Sequence, residues 1–251
     1  MTSAPHIRVG IGGWVYPPWR GGAFYPKGLP QARELAHTSR QVTAIEINGT
    51  FYGAQKPASF RRWHDDTPAD FVFSVKGPRF ATHRSDLAAA GPSIERFFAS
   101  GVLELRDKLG PILWQFPPNM PVGEDALAAF IELLPERIDG RALRHVVELR
   151  HPKVAANAFV DLLRRRGVAL VVDDNRADFE ITANFIYAHL RRCTLEEPTG
   201  YAPDALDAWA QRLRERSSQA GCDCFVYFIS GAKVRAPTAA QALLQRLTLA
   251  A

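Results

Sequence analysis

Eight short runs of strand-forming residues, spaced by helical patterns along nearly the whole chain, constrain the fold more than any other feature. They cover residues 7–12 (IRVGIG), 44–48 (AIEIN), 71–76 (FVFSVK), 112–116 (ILWQF), 145–150 (HVVELR), 168–173 (VALVVD), 185–190 (FIYAHL) and 224–229 (CFVYFI). Each is rich in β-branched or aromatic residues and is bounded by Gly, Pro, Asp or Asn. Amphipathic helix patterns lie between them at 30–40, 57–65, 93–109, 124–134, 156–166, 205–219 and 239–247, with Ser93 as the expected N-cap of the third. The connection at 175–182 is too short and polar for a full helix, so a short or missing sixth helix is expected. Alternating strands and helices predict an α/β fold with a parallel sheet inside a layer of helices, and eight strands allow closure. A length of 251 residues fits one (β/α)8 barrel, so a single domain over 1–251 is expected.

Several function classes drop out early. A content of 47% hydrophobic and 23% charged residues is that of an ordinary globular chain. No run of 18 apolar residues occurs, and no basic segment leads into an apolar stretch at the start, so a cytoplasmic location without membrane contact is expected. Cys193, Cys222 and Cys224 have no framework spacing, which predicts free thiols and no zinc site. No G-x-G-x-x-G follows the first strand and no G-x-x-x-x-G-K-[ST] occurs, so no nucleotide cofactor is expected. The net charge of +5 is spread thin; its densest cluster, Arg164-Arg165-Arg166, ends a predicted helix, where cations suit the dipole.

Strand parity turns the fold into a site. Side chains alternate faces along a strand, so Ile45 and Ile47 on the helix side turn Glu46 and Asn48 inward. By the same rule Ser74 and Lys76, Gln115, Glu148 and Arg150, and Tyr187, His189 and Arg191 face the interior. In each strand the polar group sits toward the C-terminal end, where barrel enzymes keep their active sites. Charge buried without a partner costs several kcal/mol, so these groups pair, meet water or hold a ligand.

Glu46 and Glu148 are the expected acid/base pair: carboxyls about 5–9 Å apart suit glycoside cleavage, with environment splitting their pKa values. The structural alternative pairs Glu46 with Lys76 and Glu148 with Arg150 as buried ions. Lys76 reads as a charged, anion-binding lysine, and Arg150 as a fork for carboxylate or phosphate. His83 and His151 lie in loops beyond the strands, suited to general-base work or to a solvated surface. Trp14, Phe51, Tyr52 and Trp114 stack on a sugar or base, or else belong to the core. The expected catalytic set is Glu46, Lys76, Glu148 and His151. The expected ligand contacts are Trp14, Asn48, Tyr52, His83, Gln115, Arg150, Tyr187, His189 and Arg191.

The stretches GIGGW (10–14), FYPKGLP (24–30), EINGTFY (46–52), SVKGPRFATH (74–83), LGPILWQFPP (109–118) and VELRHP (147–152) resemble, in order, the YecE-like family, called domain of unknown function 72. The resemblance covers nearly the whole chain. It implies a TIM barrel and recurrent polar positions at Glu46, Asn48, Lys76, His83, Gln115, Glu148, Arg150 and His151, but no particular reaction. Two late stretches depart from the family's pattern: His189–Arg192 reads H-L-R-R where R-L-H-G is usual, and Ile229–Gly231 reads I-S-G where an acidic, amide-rich turn is common. If those groups take part in the family's chemistry, the departures imply altered specificity or reduced activity.

The expected function is acid–base chemistry of the hydrolase, lyase or isomerase type on a small sugar-like or anionic substrate. Two alternatives stand beside it. One is a divalent-metal barrel of the sugar-isomerase or phosphodiesterase kind, with Asp173, Asp174, Glu148 and His189 as ligands, though no HxH or HExxH pattern supports it. The other is a non-catalytic ligand or nucleic-acid binder using the same basic cavity.

Overall fold

The computed structural model describes residues 5–151, 159–174 and 180–249. Eight parallel strands close in chain order: β1 (Ile7–Gly12), β2 (Ala44–Ile47), β3 (Val72–Lys76), β4 (Leu109–Gln115), β5 (His145–Glu148), β6 (Ala169–Asp173), β7 (Phe185–Leu190) and β8 (Asp223–Phe228). β8 returns to β1 with Ile7 opposite Cys224 and Ile11 opposite Phe228, which removes the sheet edge. The expected barrel is therefore the fold found.

Alternation along the strands sorts the apolar residues into two cores. Val9, Ile11, Ile45, Ile47, Ile112 and Trp114 join the larger core outside the strands. Ala44, Leu113, Val146, Phe185, Tyr187, Phe225 and Tyr227 make the smaller one inside them. β1 turns only Gly10 and Gly12 toward the second core among its last three residues, and Tyr227 of the neighbouring β8 packs beside Gly10. Tyr227 crosses from β8 to Ser74 on β3, its hydroxyl 2.7 Å from Ser74 Oγ.

Several helices are shorter than their sequence patterns, whereas the one at 57–65 matches and the last two run longer. The pattern at 30–40 becomes a 3-10 turn, Gln31–Arg33, running into α1 (Glu34–Thr38). α2 (Gly49–Tyr52), α3 (Pro57–Asp65) and α4 (Arg79–Thr82) follow, the two four-residue helices sitting directly after β2 and β3. α5 (Gly91–Ala99) begins two residues before Ser93, so Ser93 is not its cap. Pro92, with φ already set for the first turn, fixes the start and leaves Ser93 inside the helix. Nor does that helix run to 109. Gly101 at φ 93° stops it, because no right-handed helix continues through a left-handed residue, and a 3-10 segment (Val102–Lys108) leads into β4. α6 (Glu124–Glu132), α7 (Val160–Arg166), α8 (Pro203–Ala220) and α9 (Ala236–Leu249) complete the set. The expected start of α7 lies outside the described residues, as does most of the sixth connection; its described part, 180–182, is not helical.

Arg164 and Arg166, at the end of α7, pair with Glu180 and Glu132. All three cysteines are buried free thiols, and burial pushes Cys193 and Cys224 up to about 12. Among the described residues no helix is long and apolar enough to cross a membrane.

His145, on the outer face of β5, is held in one charge state. Trp114 Nε1–H donates to its Nδ1 at 3.1 Å, and its own Nε2–H donates to the Pro135 carbonyl at 2.9 Å. Only the neutral Nε2–H tautomer satisfies both, since a second proton would face the indole N–H. Burial lowers its pKa to about 4, against a smaller upward pull from the Pro135 carbonyl. A folded-state pKa below the unfolded value means stability that is complete above pH 6.5 and lost as pH falls toward 4. Urea titrations should therefore show the chain losing about 3 kcal/mol through this residue across that window. His145→Gln should have a flatter pH profile; parallel profiles for the two proteins would refute the assignment.

Candidate active site

Glu46 sits at the floor of the mouth. It lies on β2 opposite Gly12 of β1 and Ser74 of β3, and its side chain is fully buried inside the barrel. Its Oε2 accepts from the Tyr187 hydroxyl at 2.6 Å and from His189 Nε2–H at 2.6 Å, both on β7. Its Oε1 has the Lys76 ammonium of β3 at 3.5 Å and makes no hydrogen bond among the described residues. Burial alone would raise the Glu46 pKa. The charges of His189 and Lys76, with the hydrogen bonds from His189 and Tyr187, outweigh burial and hold the carboxyl below its ordinary range. Burial, then the Glu46 charge, pushes the Tyr187 phenol well up, so it stays a donor.

His189 also reaches the second carboxylate. Its Nδ1 lies 3.4 Å from Glu148 Oε1 and 3.3 Å from Arg191 Nη2, so this nitrogen finds a partner with or without a proton. Glu148 is bound in turn by Arg191, and Arg150 Nε lies 3.9 Å away. The result is one chain of charges, Lys76–Glu46–His189–Glu148–Arg191, crossing the barrel from β3 to β7. Lys76 also donates to Gln115 Oε1 of β4 at 3.2 Å.

Above this chain opens a cavity of about 600 Å³. Of the residues singled out from the sequence, Trp14, Glu46, Asn48, Tyr52, Lys76, Gln115, Arg150 and Arg191 line it. Tyr187 and His189 do not: both are fully buried beneath it and act on it through Glu46. Parity gave their face correctly but carries no depth, and these two sit one layer too low to touch a ligand. Glu148 too lies below the lining, under Arg191 and Arg150. The His189 ring occupies the space between the two carboxylates, so no glycosidic bond fits there and glycoside cleavage by this pair is set aside.

His83 stands outside the cavity lining, its ring 5.3 Å from Phe51 and its Nδ1 3.0 Å from Thr82 Oγ1. Burial, then the charges of Arg79 and Arg150, lowers its pKa. His151 is half-buried at the last residue described before 159 and is likewise no part of the lining. Trp114 belongs to the outer core.

The four-residue metal set does not converge. Asp174 Oδ2 accepts from the backbone amides of Arg191 at 2.8 Å and Arg192 at 3.0 Å, and from the Tyr201 hydroxyl, which ties the β6 and β7 loops together. Among the described residues no group of three or more His, Cys, Asp and Glu side chains is arranged to hold a metal ion.

Among the polar and aromatic lining residues, Gln55, Trp63 and Lys233 escaped the sequence, while Ser230 lies in the I-S-G stretch that departs from the family's pattern. Trp63 packs edge-on against Trp14 with centroids 5.1 Å apart. Lys233 follows the end of β8 by five residues, and that position, just past a barrel strand, was its one available signal.

Fold and site together define a parallel (β/α)8 barrel with a charged cavity over the C-terminal ends of its strands. The chain belongs to the family described as protein of unknown function DUF72, whose family model matches residues 8–251. It is 28% identical over 176 residues to the UPF0759 protein YecE of Escherichia coli K12, a match covering 68% of this chain and 60% of YecE. The chain thus spans about three fifths of that relative's length. A DUF72 family protein from Thermotoga maritima superposes with a TM-score of 0.77 at 21% identity, covering 96% of this chain and 99% of the other. D-psicose 3-epimerase, crystallised in the presence of D-fructose, gives 0.56 at 14% identity, with 97% of each chain covered. At these identities the structural likeness shows the fold alone.

Proposed function

We propose that the protein is an enzyme moving a proton on a small oxygen-substituted substrate, of the isomerase or lyase type, at the mouth of the barrel. One observation supports this above the rest: Glu46 belongs to the cavity lining, and its buried Oε1 makes no hydrogen bond among the described residues and lies beside the Lys76 ammonium. Glu46 is the base. Its Oε1 takes a proton from a carbon next to a carbonyl, and the electron pair moves to the carbonyl oxygen, where Lys76 stabilises the developing charge. Returning the proton to the former carbonyl carbon, with the hydroxyl proton passing between the two oxygens, isomerises the substrate, and protonation of the same carbon from a donor on the opposite face epimerises it. Loss of a β-substituent instead gives elimination.

A carboxylate held below its ordinary pKa is a weak base until something loosens it. A substrate oxygen drawn to Lys76 weakens the Lys76 contribution and raises the proton affinity of Glu46, so binding itself prepares the base. The sugar-acting epimerase that shares the fold is consistent with such a substrate class. The test is incubation with phosphorylated and carboxylated ketoses and aldoses in D2O, followed by NMR. Deuterium entering a substrate with the wild-type protein but not with Glu46→Gln supports the proposal; exchange that survives in Glu46→Gln overturns it.

A further inference from the structure

The two sides of the cavity differ in how far their charges are already met. Around β2 to β5 each cation has an anion: Lys76 has Glu46 at 3.5 Å and Arg150 has Glu148 at 3.9 Å. Beyond β8 the cation is unmet. Lys233 lines the cavity with no carboxylate partner among the described residues; its ammonium lies instead 4.9 Å from the Tyr16 ring centre and 5.8 Å from that of Trp19. Trp19 Nε1–H donates to the Lys233 carbonyl at 3.0 Å, which fixes the residue against the rings. Aromatic faces hold an ammonium in position without neutralising its charge.

Two more residues with donor groups belong to the lining of the same cavity. Arg191 reaches Glu148 through Nη2, while its Nε is buried and without a hydrogen bond among the described residues. The Ser230 hydroxyl also lines the cavity and has no hydrogen-bond partner among those residues. Beside them, at the end of β1, Gly13 leaves open space where a side chain would begin, so a ligand can come close to the backbone. β8 neighbours both β1 and β7, which gathers these groups on one edge of the mouth.

We propose that Lys233, Ser230 and Arg191 form an oxyanion subsite that binds the phosphate of a phosphorylated sugar-type substrate, leaving the other end of that molecule at Glu46 and Lys76. The substrate class rests on the proton-transfer role of Glu46; the subsite itself does not. A point charge, a hydroxyl and one guanidinium N–H arriving from two loops suit a tetrahedral dianion better than a planar carboxylate, which one arginine fork would hold. The loops after the seventh and eighth strands are a frequent phosphate-binding position in barrels of this kind. The aromatic wall opposite, Trp14 with Trp63, offers a face for the sugar ring.

The test uses inorganic phosphate alone, titrated at low ionic strength into the intact protein and followed by calorimetry. The wild type is expected to bind one phosphate saturably, with a dissociation constant in the millimolar range. Lys233→Met, which keeps the length of the side chain against the rings, should weaken binding about tenfold or more, and Lys233→Arg should restore most of it. Lys76→Met should change the affinity by less than about threefold. Should Lys233→Met fail to fold, Ser230→Ala decides, with an expected loss of about threefold. Absence of saturable binding in the wild type, wild-type affinity in Lys233→Met or in the deciding Ser230→Ala, or a larger loss in Lys76→Met than in Lys233→Met overturns the subsite. Phosphate affinity is read without turnover. Its failure leaves the Glu46 chemistry standing, and failure of deuterium exchange with phosphate binding intact removes only the Glu46 chemistry.

Discussion

Glu46→Gln is expected to lower turnover by about 100-fold or more and, unlike an ordinary base-to-amide replacement, to cost the fold about 3 kcal/mol at neutral pH. The amide keeps the shape of the carboxyl and one acceptor for Tyr187 and His189. Its NH2 group, however, must then face the Lys76 ammonium 3.5 Å away, donor against donor, in a fully buried position. The acid side of the stability curve separates this effect from simple misfolding. Glu46 is held below its ordinary pKa of 4.5, so it contributes stability that is complete above that value and is lost as pH falls. Glu46→Gln lacks this dependence, so the gap between wild type and variant should narrow as pH falls from 7 toward 3. Urea midpoints at both pH values, with deuterium exchange in the folded fraction, check the two halves together. Full exchange in the variant would leave Glu46 as scaffold, and a gap of constant size would mean its charge is not what the fold uses. Glu148→Gln should be milder in stability, because the arginines it releases, Arg150 and Arg191, already reach the cavity and its water.

How much of this was legible beforehand follows from periodicity. The two-residue period of the strands specified the barrel and put Glu46, Lys76, Gln115, Glu148, Arg150 and Arg191 on the inner face, because one face of every strand must meet the helices. Depth was not legible. His189 and Arg191 share a face, yet two residues of rise separate a fully buried imidazole from a guanidinium that reaches the cavity. The H-L-R order at 189–191 therefore sets which group bridges the carboxylates and which one meets a ligand. Loop side chains carry no period at all, which is why Lys233 went unseen, and Trp63 lies on α3, where a tryptophan reads equally well as core. Ser93 failed as a cap for a related reason: its residue type suits the role, but Pro92 and the packing of the chain placed the helix start elsewhere.

Gly10→Ala is expected to cost about 3 kcal/mol, at the upper end for overpacking, and to disturb the site from below. A Cβ at Gly10 would lie 2.0 Å from the Ala44 carbonyl oxygen, an atom of the β2 backbone that no rotamer change can move. Relief requires β1 and β2 to separate, and their pairing carries Gly12 opposite Glu46. The same Cβ would stand 3.2 Å from Tyr227 Cε1. Tyr227 lies 5.2 Å from Tyr187, centre to centre, and Tyr187 donates to Glu46 at 2.6 Å, so a shift of the first ring reaches the carboxylate through the second. Gly13→Ala provides the comparison. Gly13 directly follows the end of β1, in open space, and its φ of 73° costs a side chain only about 1 kcal/mol. Urea midpoints should rank the two variants far apart, with Gly10→Ala the weaker by about 2 kcal/mol. Equal losses would mean that backbone conformation, and not the fit of β1 against β2 and Tyr227, is what glycine supplies to this strand.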